Sequence, residues 1–243
     1  MLPGGIATGI TNIILFLLVV LARRLISKES INRFLISKPH KRWKLFWEGC
    51  LMGFVLILVY VFLAVLFGVG QLSIKPQFSM NFIFILLSYI FAFAAVSLFE
   101  ESLFRDYILL KFKKKYEAAD AVFISSMIFA LIHVFSYSSA GSLIVLGLLN
   151  AFIIGFILSL IVIATKSLMW PLGFHMMWNL TQTLFLMMRS GGINLEINEG
   201  ILAGTSFIPE AGLIVTLILI GLIVYMVKRF SCAHIMPSSI GKG

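Results

Sequence analysis

The sequence predicts an all-α protein: a polytopic bundle of transmembrane helices with about seven spans. Three observations carry that expectation. Of 243 residues, 60% are hydrophobic and only 12% are charged, whereas ordinary soluble domains are about half apolar and about a quarter charged. The mean hydropathy is +1.07. The apolar residues also fall into stretches close to the ~20 residues that cross a bilayer, separated by segments that alternate between rich and poor in Lys and Arg.

In chain order the candidate spans are residues 6–22, 49–70, 82–110, 121–138, 142–164, 168–188 and 211–227. The first has no basic start, and Arg23 and Arg24 follow it, so it reads as a retained span rather than a cleaved leader. The third is long enough to tilt and emerge from the membrane. The spans from 121 to 188 are joined by very short turns, which makes them antiparallel neighbours. No Gly/Pro-rich linker and no fixed-period repeat divides the chain, so residues 1–243 read as a single integral membrane domain. An eighth span would have to lie in 23–45 or 189–210.

Charge sets the expected orientation. With the amino terminus outside, the inner segments carry sixteen Lys and Arg: eight from Arg23 to Lys44, four from Lys111 to Lys115, Lys166, and Lys228, Arg229 and Lys242. The outer segments carry only Lys75 and Arg189. The positive-inside rule then places the carboxyl terminus in the cytosol. The net charge of +9 is accounted for by these loops, and no nucleic-acid partner is expected. The segment 23–45 is basic and amphipathic, with Trp43 and Trp47 at or just beyond its end. It reads either as a helix lying on the cytosolic membrane surface or as a solvated basic loop. Cys50 and Cys232 form no ligand spacing and no disulfide framework.

Few ionisable or strongly polar groups fall within the spans: Glu100, Glu101, Arg105, Asp106, His133, Asn150, His175, Asn179 and Gln182. A charge at bilayer depth costs at least about 2.5–3.5 kcal/mol on insertion scales, so these are functional candidates by default. Their depths agree. At ~1.5 Å per residue, Glu100 lies roughly 15–18 Å from Lys111, His133 roughly 18 Å from Asp120, and His175 roughly 10–13 Å from Lys166 and Ser167. All three distances are measured from the cytosolic side, so three helices place Glu, His and His in one layer.

Spacing adds detail. Glu101 and Arg105 are four apart and can pair along one face, while Glu100 lies about 100° round the helix from Glu101. His175 and Asn179 share a face, as do Phe129 and His133. A buried carboxylate facing a histidine can hold and activate water, and a second His with an Asn can donate to an oxyanion. Taken singly, the Glu101–Arg105 pair reads as a structural clasp, and a histidine in a span as an interhelical contact or a proton relay.

"EESLFR" (100–105), "FALIH" (129–133) and "HMMWN" (175–179) fit E-E-x-x-x-R, F-x-x-x-H and H-x-x-x-N. In this order, on separate spans, they resemble the CPBP family of intramembrane proteases, which includes the type II CAAX prenyl endopeptidases and Abi-type bacterial proteins. The likeness covers about residues 80–190. It implies an endopeptidase with Glu100 and His133 as the water-activating couple and His175 and Asn179 as oxyanion donors, supported by Glu101 and Arg105. Members are often called metalloproteases, so zinc on Glu100, His133 and His175 stands as an alternative. The glutamate mechanism without a cofactor is favoured, since the HExxH helix of zinc proteases is absent. The implied substrate is a membrane-associated peptide or protein cut at a cytosol-facing site. A non-hydrolytic membrane protein, either a proton-coupled transporter or a bacteriocin-immunity and partner-binding factor, is the competing class. The missing inverted repeat argues against the transporter.

Overall fold

The computed structural model describes residues 4–27, 39–74, 80–187 and 193–230. Among these residues the chain forms seven helices and one two-stranded sheet, an all-α bundle in which each helix overlaps one of the expected apolar stretches. We label them α1 (Gly4–Ala22), α2 (Pro39–Leu66), α3 (Met80–Lys113), α4 (Ala118–Ile132), α5 (Ile144–Thr165), α6 (Met169–Gln182) and α7 (Leu213–Phe230). Four helical segments, Gly4–Leu25, Arg42–Leu66, Met80–Lys113 and Ser138–Thr165, are long and apolar enough to cross a membrane by length and composition. The protein is an integral membrane protein.

Two glycine pairs set how the helices meet. Gly49 and Gly53 of α2 lie four apart, and Gly173 of α6 faces them. A Cβ on Gly53 would meet the Phe174 carbonyl oxygen at 2.6 Å, and one on Gly49 or Gly173 would collide with the backbone of Trp170 or Phe46. Lipid tails are as apolar as leucine, so membrane helices associate through close packing, and small residues let their backbones approach. Gly5 and Gly9 do the same for α1, against Ser88 and Phe91 of α3. The main core joins α2, α5, α6 and α7, with Tyr60, Leu158, Trp170, Phe174 and Leu219 at its centre. Large apolar residues on the outward faces, such as Leu51, Phe62, Leu87 and Leu217, stay exposed, as a lipid-facing surface requires.

Three local departures from the expected spans shape the site. After Glu101, α3 widens into a π-helical stretch, Ser102–Ile108, a feature that recurs at functional sites. Within it Arg105 and Asp106 are both buried. The fourth span was expected to run to residue 138, but α4 ends at Ile132. The chain then turns through His133 and a 3-10 turn, Ser138–Leu143, before α5. Such irregular backbone is tolerated at membrane depth where it lines a cavity. The long 189–210 connection also has structure: β2 (Ile193–Ile197) pairs antiparallel with β1 (Gly70–Ile74), Leu72 opposite Leu195.

At the opposite end, Arg23 forms a buried ion pair with Asp106, tying the end of α1 to the π stretch. Arg23 is therefore not one of the solvated cytosolic charges, although the basic asymmetry survives without it. Glu48 pairs with Arg229 at 2.7 Å, bringing the start of α2 and the end of α7 to one face. Residues 39–45, assigned from the sequence to a surface segment, form the first turns of α2. The remainder of that segment, residues 28–38, and Lys75, Arg189, Cys232 and Lys242 lie outside the described residues.

Replacing Gly53 with Leu should force α2 and α6 apart. Overpacking of this kind typically costs about 1–3 kcal/mol. The expected result is a lower yield of folded protein and an earlier unfolding midpoint on titration with SDS. A variant as stable as the parent would show that the close approach is dispensable.

Candidate active site

The three motifs converge on one cavity of about 330 Å³, lined by Glu100, His133, His175 and Asn179. Each side chain arrives by a different local device. Glu100 sits in the last α-helical turn before the π stretch of α3. His133 follows the last residue of α4, where the final carbonyls of a helix have no intrahelical partner. One of these, the carbonyl of Phe129, lies 2.7 Å from His133 Nδ1. A carbonyl can only accept, so Nδ1 carries the hydrogen, and Nε2 of the neutral ring is left as the acceptor. His175 and Asn179 project from successive turns of α6.

His175 stands between the two glutamates. Its Nδ1 donates to Glu101 Oε1 at 2.9 Å, and its Nε2 lies 3.8 Å from Glu100 Oε2. The same Glu101 oxygen accepts from Arg105 Nη1 at 3.2 Å, and the side chains of both partners in that pair are 0% exposed. Glu101 thus joins the first motif to the third. Because Nδ1–H is committed to Glu101, His175 can offer a second N–H at Nε2 only as an imidazolium, and the two carboxylates are the counter-charges that such a cation needs.

Phe129 joins the first motif to the second. Its ring packs 4.4 Å from the His133 ring and edge-on to Phe104 at 5.0 Å. The Arg105 guanidinium lies 4.3 Å from its centroid, within cation–π range. The phenylalanine of F-x-x-x-H is therefore a wall shared by the imidazole and the arginine.

The structure also shows a residue that the sequence reading passed over. Glu210 lines the same cavity. It sits in a short 3-10 turn, Pro209–Ala211, just before α7. Trp178 Nε1 donates to its Oε1 at 3.0 Å and Gln182 Nε2 to its Oε2 at 3.5 Å. Asn150 holds the backbone there, donating to the carbonyls of Glu210 and Gly212 at 2.7 and 3.2 Å. A signal existed: Glu210 is the single charged side chain between Glu199 and Lys228. As for zinc, no three His, Cys, Asp or Glu side chains among the described residues are grouped so as to hold a metal ion.

The family model for Type II CAAX prenyl endopeptidase Rce1-like proteins matches residues 82–181, the segment that contains all three motifs. This agrees with the resemblance drawn from the motifs. No curated protein matches the chain.

Arg105→Leu should lower the folded yield together with any activity, because removing one partner of a buried pair typically costs about 3–5 kcal/mol. Thermal unfolding in detergent checks this. A normally stable Arg105→Leu protein with only a catalytic defect would place Arg105 in the reacting site instead.

Proposed function

We propose that this protein is an intramembrane endopeptidase that hydrolyses a peptide bond of a membrane-associated substrate by a glutamate mechanism at a cytosol-facing site. The observation that carries the reading is the convergence of Glu100, His133, His175 and Asn179 on one cavity. No metal enters the steps below.

Water held between Glu100 and His133 Nε2 loses a proton to the Glu100 carboxylate as its oxygen attacks the scissile carbonyl carbon. The carbonyl π electrons move to oxygen, and the oxyanion accepts hydrogen bonds from Asn179 Nδ2 and from His175 Nε2–H. Collapse of the tetrahedral intermediate breaks the C–N bond, and the proton held by Glu100 passes to the departing amine. The acyl product keeps the water's hydroxyl as a carboxylic acid, whose proton then passes to the new amine to leave a carboxylate and an ammonium, so atoms balance with water as the only co-reactant. Donors aimed at a developing oxyanion from a site walled off from water are worth far more than in solvent. Glu101 and Arg105 act through His175, by fixing its ring.

The proposed orientation is amino terminus outside and carboxyl terminus in the cytosol, on the strength of the basic asymmetry. It is supported by the Glu48–Arg229 pair, which sets the end of α7 beside the basic start of α2. Reporter fusions at Gly4 and Gly243 should report opposite sides of the membrane, and same-side signals would overturn the seven-span topology.

Proteomic comparison of membranes carrying wild-type or Glu100→Ala protein should reveal peptides whose cleavage depends on Glu100. On such a substrate, Glu100→Gln and His133→Ala should abolish cleavage with little loss of fold. His175→Ala and Asn179→Ala should each cost on the order of 10²–10³-fold in turnover, and double variants should lose little more, since residues acting as one unit are non-additive. Unchanged cleavage in Glu100→Gln would end the protease reading.

Metal removal separates this mechanism from the zinc alternative. Protein stripped of metal, with the stripping checked by elemental analysis, should keep its activity. Activity lost on stripping and restored by stoichiometric zinc would recast Glu100, His133 and His175 as ligands.

A further inference from the structure

The cavity has two polar ends, and the mechanism uses only one. Gln182, Asn150 and Glu210 lie away from the Lys166 end of the bundle: Gln182 closes α6, Asn150 is in the second turn of α5, and Glu210 precedes α7. All three line the cavity.

Their chemistry is one-sided. Asn150 spends its amide N–H groups on the carbonyls of Glu210 and Gly212, which fixes the side-chain orientation and leaves Oδ1 as a buried acceptor. Gln182 gives an N–H to Glu210, which leaves its Oε1. Among the described residues neither oxygen meets a donor, although Asn150 is only 1% and Gln182 7% exposed. Buried acceptors without donors are destabilising, because each has given up water without a replacement partner. Beside them the Glu210 carboxylate holds two neutral donors, and no lysine or arginine lines the cavity among the described residues. Aromatic faces of Trp178 and Phe207 share this lining, and Tyr137 stands between it and the His133 ring, 5.5 Å away.

Acceptors of this kind, a negative charge and π faces are complementary to one ligand class, an organic cation rich in N–H donors. We propose that this end of the cavity is a specificity subsite in which Glu210, with Asn150 Oδ1 and Gln182 Oε1, receives the ammonium or guanidinium of a lysine or arginine side chain of the substrate. The proposal rests on the protease reading. Gln182 is seven residues beyond His175, about 10 Å along α6, the length of about three extended residues. The basic side chain therefore belongs within about three positions of the bond that is cut. Glu210 and Gln182 lie beyond the matched segment, residues 82–181, and Asn150 lies within it.

The test uses full-length protein in liposomes and a set of membrane-embedded peptides in which one residue is either lysine or norleucine, scanned across the cleavage region. Norleucine keeps the methylene chain and lacks the ammonium. Wild-type protein should favour lysine at one position by on the order of 10- to 100-fold in kcat/KM, the worth of hydrogen bonds to a charged group. In Glu210→Gln, which keeps an acceptor for Trp178, that preference should fall towards unity. Should Glu210→Gln not fold, Gln182→Leu should weaken the same preference. Equal rates for the two peptides in wild type, or full preference in a folded Glu210→Gln protein, would overturn the subsite. Binding of the same peptides to Glu100→Gln protein, followed by tryptophan fluorescence, separates the two claims. Lysine-selective binding with no cleavage by wild type would sink the protease reading and keep the subsite. Unselective binding would sink the subsite whether or not wild type cleaves.

Discussion

The Glu101 carboxylate is the point on which the site depends. A carboxylate with no exposed surface survives only if its charge is matched, and here one oxygen serves both Arg105 and His175. That shared oxygen couples the ion pair within α3 to the setting of the His175 ring. The arginine pairs with the acid, the acid holds the Nδ1 hydrogen of the histidine, and the histidine then turns Nε2 towards Glu100. Arg105 reaches further still, through the ring of Phe129 to His133. The three motifs are one network of charge, hydrogen bond and ring, with its least accessible members at the centre.

The frame around the network is built from close backbone packing. Glycines bring α2 against α6 and α1 against α3, and α3 and α6, which carry the first and third motifs, pack on each other between these pairs. The π stretch follows immediately after the paired acids. It lets one helix present Glu101 and Arg105 to the interior while Asp106 turns to Arg23 of α1. A regular helix would spread the three charges of α3 more widely round its axis.

Much of this was legible in the sequence, for identifiable reasons. Apolar stretches mark the helices because lipid admits few alternatives, and the rarity of charge inside them picked out Glu100, Glu101, Arg105, His133, His175 and Asn179 before any fold was known. The i,i+4 spacing gave the Glu101–Arg105 pair directly. What was not legible depends on contacts between distant segments. Spacing alone does not say that Arg23 turns back to Asp106, or that the helix before His133 stops at Ile132. Glu210 escaped because it sits outside a helix, where a charge looks inexpensive until the chain folds it back against Trp178 and Gln182. The glycine pairs were readable as a four-residue repeat of small residues, but without a facing helix that repeat has no partner.

The short segment before α7 has a consequence for biosynthesis. A chain that has emerged only through Gln182 already contains all four proposed catalytic side chains and the whole matched family segment. It still lacks the turn that Asn150 ties down, and the α7 side chains Val215 and Leu219 that help line the cavity. The cavity lining is therefore complete only once α7 has been added, so a chain that stops short of it carries the proposed site residues without their full enclosure.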